Sequence, residues 1–250
     1  MSLHDAFQGT NRDYAVNVIH TICALAGPTS LIDDARDDLQ QHGVLAAIKS
    51  HDAGMLFDWL MSVLSYQGVS DAVATQYMDE HGRATWAAIS RVRPACPKLA
   101  SYWQFYDCRY HKGSRTCAEP DHLPDCPLPT YDLRNGRLNQ TAFSLYLFIR
   151  DVAGGDLVAW IDARLAYADS EHDGPDRLAR LRNALLEPLR HVYGTSDKVW
   201  SMALATLLLG AGRTRKRWAE VGGSMIAIDT LVHNLLHRTG ILQRLDAEHL

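Results

Sequence analysis

Long apolar runs are missing from this sequence. No stretch reaches the roughly 18 uninterrupted apolar residues of a membrane-spanning helix, and the opening MSLHDAFQGTNRDYAV lacks the basic-then-apolar build of an export signal. A soluble cytoplasmic protein is the expectation. An excess of positive charge is missing as well: the formal net charge of −4 gives no global argument for nucleic acid. Strand patterning is too sparse for a parallel nucleotide-binding sheet. The GAG at 210–212 has neither the preceding strand nor the further glycine of a dinucleotide loop. Repeats and low-complexity tracts are absent. The five cysteines are an odd number in a chain with no export signal, which argues against a disulfide framework and leaves free thiols or metal ligands.

What is present is helical periodicity. With 47% hydrophobic residues, a chain of 250 buries a sizeable core in one large or two small domains. Apolar residues recur at helical spacing in DYAVNVIHTICAL (13–25), in a short helix pair LIDDARDDLQQHGVLAAIKSH, in AGMLFDWLMSVLSYQ (53–67), and from about Ala72 to Arg91. They do so again in LNQTAFSLYLFIRDV, DLVAWIDARLAYA and PDRLARLRNALLEPLRHVY. The fold class is therefore all-α, with a helical region 1–92, an irregular insertion 93–136, and a second helical region 137–250.

The insertion holds six of the nine prolines and four of the five cysteines. Cys96, Cys108, Cys117 and Cys126 follow a C-x11-C-x8-C-x8-C spacing, with His111 and His122 between them. A segment so rich in proline and poor in apolar residues needs something to hold it. The spacing contains no CxxC, so it matches no ordinary zinc ribbon. Cys108, Cys117 and Cys126 are the first choice of ligands, completed by Cys96 or by His111. A structural Zn2+ and a structural [4Fe–4S] cluster are both open, as are buried free thiols.

Two charged residues sit oddly in the second helical region. Lys198 opens a stretch, VWSMALATLLLG, that is apolar on every side and so reads as a helix enclosed by others. Ser196 or Asp197 would cap it, leaving Lys198 in the first turn. The positive end of the helix and apolar neighbours would both favour the neutral, nucleophilic amine; a lysine snorkelling to water is the plainer reading. Asp229, 31 residues on, sits between the apolar run SMIAI and the helix-like TLVHNLLHRTGIL. Taken alone it is an N-cap. A carboxylate near an amine also stabilises developing positive charge and assists proton removal. Between the two, GRTRKRW gathers Arg213, Arg215, Lys216 and Arg217, suited to phosphate contacts or to an ordinary solvated turn. Trp59, Phe57, Trp103, Trp200 and Trp218 are aromatics able to stack on a base, though such residues more often fill a core.

Three stretches, in order, resemble the helix-hairpin-helix DNA glycosylase superfamily. LMSVLSYQGVSD (60–71) looks like its apolar helix ending in a Ser-x-Gln turn. GTSDKVWSMAL (194–204) looks like a modified hairpin leading into a lysine helix, and AIDTLVHNLLHR (227–238) like the catalytic Asp segment. The likeness covers roughly residues 53–92 and 175–245 and leaves the central region outside. The hairpin has Gly194 without a Gly-x-Gly before Lys198, and the lysine-to-Asp spacing is closest to the archaeal 8-oxoguanine DNA glycosylases. The resemblance implies two helical subdomains flanking a DNA cleft, and a base-excision-repair glycosylase with β-lyase activity acting as a monomer on duplex DNA with a flipped damaged base. An oxidised purine such as 8-oxoguanine is its expected substrate. It implies Lys198 as the nucleophile at the sugar C1′, Asp229 as its electrostatic partner, and Gln67 filling the gap left by the base. Gly194 and Ser196 of the hairpin, with the basic loop, would hold the DNA backbone in a nucleoid-associated cytoplasmic protein. A helical DNA- or protein-binding module without chemistry, or an enzyme of modified-nucleotide metabolism on the same scaffold, is the alternative.

Overall fold

Helices form almost everywhere that apolar residues recur at helical spacing. The structure, a computed structural model, describes residues 9–25, 30–65, 70–111, 113–129, 137–169, 174, 176–225, 227 and 230–247. It is all-α. Among the described residues the backbone pairs in β fashion at a single isolated bridge, His111 with Thr116. In chain order the helices are α1 (Asn11–Cys23), α2 (Leu31–Gln41), α3 (Val44–Ser50), α4 (Ala53–Ser65), α5 (Asp71–His81), α6 (Trp86–Ser90) and α7 (Tyr102–Phe105). They continue with α8 (Arg137–Leu147), α9 (Leu157–Ala168), α10 (Arg177–Leu189), α11 (Asp197–Gly210), α12 (Lys216–Ser224), α13 (Thr230–Arg238) and α14 (Ile241–Arg244).

The helix expected over 72–91 is two helices. Gly82 ends α5 with φ +78, a left-handed conformation that glycine adopts without penalty, and Thr85 starts α6 by accepting a hydrogen bond from the Ala88 amide. At its far end α8 runs on into a π turn, Phe148–Val152.

The chain divides into two compact units, Met1–Asp34 with Ala227–Leu250, and Ala35–Ile226. In the first unit α1 starts on a capping box, in which Thr10 and Asp13 satisfy each other's backbone amides. Tyr14, Ala15 and Ile241 form its small core. The Tyr14 hydroxyl donates to the Thr239 carbonyl at 2.9 Å, and the Arg244 guanidinium lies 4.0 Å from the centre of the Tyr14 ring.

In the second unit α4 is the hub. Its Leu56, Phe57, Trp59, Leu60, Met61 and Leu64 are buried, and it packs against α3, α6, α8, α9 and α11. On the other side α11 lies along α12, and the approach is close because of Gly222. A Cβ there would sit 2.9 Å from the Leu209 amide nitrogen and 3.0 Å from the Leu208 Cβ, so only a glycine lets the two backbones meet. The proline-rich segment belongs to this same unit: Cys96, Leu99, Phe105, Tyr110 and Leu128 join its core. Buried Gln140 of α8 donates to the Tyr110 carbonyl at 2.9 Å and holds the segment to the helices.

Candidate functional site

The helices α10 and α11 are joined by a tight turn over residues 190–196. Gly194, at φ +76, supplies the left-handed step that reverses the chain. Four contacts fix the turn. The Thr195 hydroxyl donates to the Val192 carbonyl and accepts from the Trp200 indole, both at 2.8 Å. The Tyr193 amide donates to Ser144 of α8 at 3.0 Å. The Arg190 guanidinium grips the Asp197 carboxylate through both of its oxygens, at 2.6 to 2.9 Å, closing the end of α10 onto the start of α11. The same hydrogen bonds from Arg190 hold the Asp197 carboxyl below its ordinary value.

Asp197 is thus occupied by Arg190. Ser196 is the N-cap by backbone conformation, φ −124 and ψ 163, but its side chain makes no capping hydrogen bond. The first amides of α11, which have no acceptor within the helix, therefore have no side-chain cap and are open to an anion. Lys198 stands at this end. It is exposed, as is Met202 one turn further, while Trp200, Ser201, Ala203 and Leu204 beside them are buried. The expectation of a helix enclosed on all sides needs correcting here. A stripe through Lys198 and Met202 faces water, because the core takes only the other faces of the helix.

The basic loop is more internally answered than its sequence suggests. Arg215 pairs with Asp162 of α9 and lies over the Trp218 ring, 4.7 Å from its centre, while the Trp218 indole donates to the same carboxylate at 2.6 Å. Arg217 donates to Asp169 at 2.8 Å. Asp169 also receives Arg177 of α10 at 2.5 and 2.9 Å, and hydrogen bonds from Arg177 and then Arg217 hold its carboxyl down at about 2. Arg177 reaches on to Glu220 of α12 at 3.0 Å. Lys216, with its side chain 92% exposed, and exposed Arg213 are the two cations of the loop that project outward. Asp162 and Asp169 are separated from their arginines by 53 and 48 residues, so no local spacing in the sequence announces them.

Of the aromatics named for stacking, Phe57, Trp59, Trp200 and Trp218 are core residues, and Trp103 on α7 is 65% exposed. Gln67 and Asp229 lie outside the described residues. The helix that follows Asp229, α13, begins at Thr230.

The four cysteines of the proline-rich segment line one cavity of about 260 Å³. Tyr110, His122 and Leu128 are among the residues around them. His111 is turned instead to Ser114, whose hydroxyl is 2.8 Å from its Nδ1. The thiols are free. Burial pushes the Cys108 and Cys126 thiols up, and the other cysteines facing them push both further. A backbone pattern repeats around the cavity. The sulfur of Cys117 accepts from the Glu119 amide at 3.4 Å, that of Cys108 from the Tyr110 amide, and that of Cys126 from the Leu128 amide, each two residues on. Among the described residues, no three His, Cys, Asp or Glu side chains are gathered closely enough to hold a single metal ion. The amide two residues after each of these three cysteines is a feature that spacing between the cysteines alone does not reveal.

Comparison of the chain with family models, with curated proteins and with solved structures finds no match. Among the described residues no helix is long and apolar enough to cross a membrane.

Proposed function

We propose that this protein is a DNA N-glycosylase with β-lyase activity, acting on duplex DNA from which a damaged base has been flipped. One observation carries the reading: an exposed lysine, Lys198, in the first turn of the second helix of a tightly turned pair, at a helix end without a side-chain cap. The turn and the uncapped amides suit a phosphate of the DNA backbone, and a helix N-terminus favours that charge. Lys198, deprotonated, would attack the sugar C1′. The amine–carbon bond forms as the glycosidic bond breaks and the base leaves with a proton from the amine; opening of the C1′–O4′ bond then gives the Schiff base, and loss of a C2′ proton expels the 3′ phosphate. Asp229 is the proposed carboxylate partner and Gln67 the proposed wedge, both by resemblance in sequence. Arg213 and Lys216 would add phosphate contacts. An oxidised purine is the substrate favoured, by analogy with the archaeal 8-oxoguanine enzymes.

Borohydride reduction in the presence of duplexes carrying 8-oxoguanine or an abasic site is the direct test. A covalent adduct is expected with the wild-type chain and not with Lys198→Gln, whose stability should change by no more than about 0.5 kcal/mol because the residue is exposed. Binding without an adduct would replace this reading with a helical DNA-binding module that has no chemistry. Activity on free nucleotides with none on duplexes would replace it with a nucleotide-processing enzyme.

A further inference from the structure

The cysteine-lined cavity carries an inference that stands whether or not the glycosylase reading does. Three separate turns, at Cys108, Cys117 and Cys126, point a sulfur into the same space and donate a backbone N–H to that sulfur from two residues on. A turn that supplies an N–H to sulfur favours the thiolate, the form that ligates a metal. Metal binding displaces the thiol protons and links the loops to one another.

The size of the cavity that the cysteines line selects the kind of metal centre. Four thiolates on one zinc ion, at bonds of about 2.3 Å, stand only about 3.8 Å apart and leave no room between them. Here the four cysteines line a cavity of about 260 Å³, and among the described residues no three potential ligands are gathered for a single ion. The chain also offers no closely spaced pair of cysteines of the kind that chelates one ion from a single knuckle. Cys96 starts a 3-10 turn, Pro97–Leu99, and the other three come from turns of their own, so each sulfur arrives from its own direction. Four cysteines set around one cavity of that size match a cube of four irons and four sulfides, with one cysteine on each iron. We infer that Cys96, Cys108, Cys117 and Cys126 hold a [4Fe–4S] cluster that staples the proline-rich segment to the helical core. Its position, inside the segment between the two helical regions, leaves the exposed Lys198 face of α11 to other work.

The test uses the full chain, purified without oxygen from iron-supplied cells or, if colourless, treated anaerobically with ferrous iron and sulfide. The expected result is a brown protein with broad visible absorbance and iron and acid-labile sulfide at about four each per chain. Cys117→Ser and Cys126→Ser should lose the iron to background. Cys23→Ser, an exposed cysteine remote in sequence from the segment, should keep it in full. Because a ligand variant is open to misfolding, the wild-type chain is also stripped of iron anaerobically by a chelator. Its far-ultraviolet helix signal should persist while amide exchange over 93–129 quickens, and both should return to their starting state on reconstitution. Stoichiometric zinc, two irons per chain, disulfides between these cysteines under anaerobic purification, or no metal after reconstitution would each overturn the inference.

Discussion

Two neighbouring regions of the second unit are built on opposite plans. From α10 to α12 the helices are held by intrahelical hydrogen bonds, by packed apolar faces and by the Arg177 and Arg190 clamps. From 93 to 129 short helical turns alternate with irregular backbone, and the segment reaches the core through a few side chains such as Leu99, Phe105 and Leu128. The first plan spreads stability over many weak and mutually supporting terms. The second concentrates it in a handful of anchors. A change in the helical region should therefore be graded by how much packing it removes, whereas a change in the segment should matter greatly at an anchor and little elsewhere.

The sharpest way to break that contrast is to remove one of the largest fully buried side chains of the helical region. Trp200 is buried, fills the interior beside the turn, and donates to Thr195. Trp200→Ala is expected to lower unfolding free energy by about 3–5 kcal/mol in a urea titration. A loss under about 1 kcal/mol would mean that the turn region carries little of the unit's stability.

A smaller change tests whether the segment is tied to the helices at a point. Gln140 donates to the Tyr110 carbonyl while its own Oε1 is buried without a partner, so the bond comes with an uncompensated acceptor. Gln140→Met removes both, and the net loss should be about 1 kcal/mol or less. Hydrogen exchange should quicken around Tyr110 and leave the amides of α11 at their wild-type rates. Equal quickening in both regions would show that they open together.

The smallest effect expected is in acid. Asp169 is held at about 2 in the folded protein, below its ordinary value of 3.8, chiefly by Arg177. A carboxyl lowered on folding contributes stability that is complete above its unfolded value and is lost as pH falls through the folded one. The helical region should lose part of its stability between about pH 4 and pH 2. The Arg177→Gln variant should show a shallower decline over that window, measured as denaturation midpoint against pH. An unchanged slope would remove the clamp from any account of the region's acid sensitivity.

Much of the architecture was legible because periodicity is a local signal. The spacing of apolar residues gave α4, α9 and α11, and the density of prolines marked the segment that is irregular. The break between α5 and α6 was harder, since it rests on the positive φ of Gly82, and an isolated glycine in a helical pattern does not declare its conformation. For the candidate site, the sequence indicated that Lys198 lies in the first turn of a helix, and it does. It did not indicate which face of α11 the core would take, because Met202 reads as apolar and yet faces water. Likewise a run of four cations says nothing about partners half a hundred residues earlier. The density of cysteines marked them as candidates for one site, but that all four line one cavity is a property of how separate turns fold around it.

The pairing of Arg215 and Trp218 with a single carboxylate on α9 has a mechanical side. It bolts the start of α12 to a neighbouring helix, so the outward cations Arg213 and Lys216 ride on a stiff mount and cannot swing out on a slack tether. The backbone beneath them is what is held, and a force applied at that rim passes through the Trp218 indole into the body of the second unit.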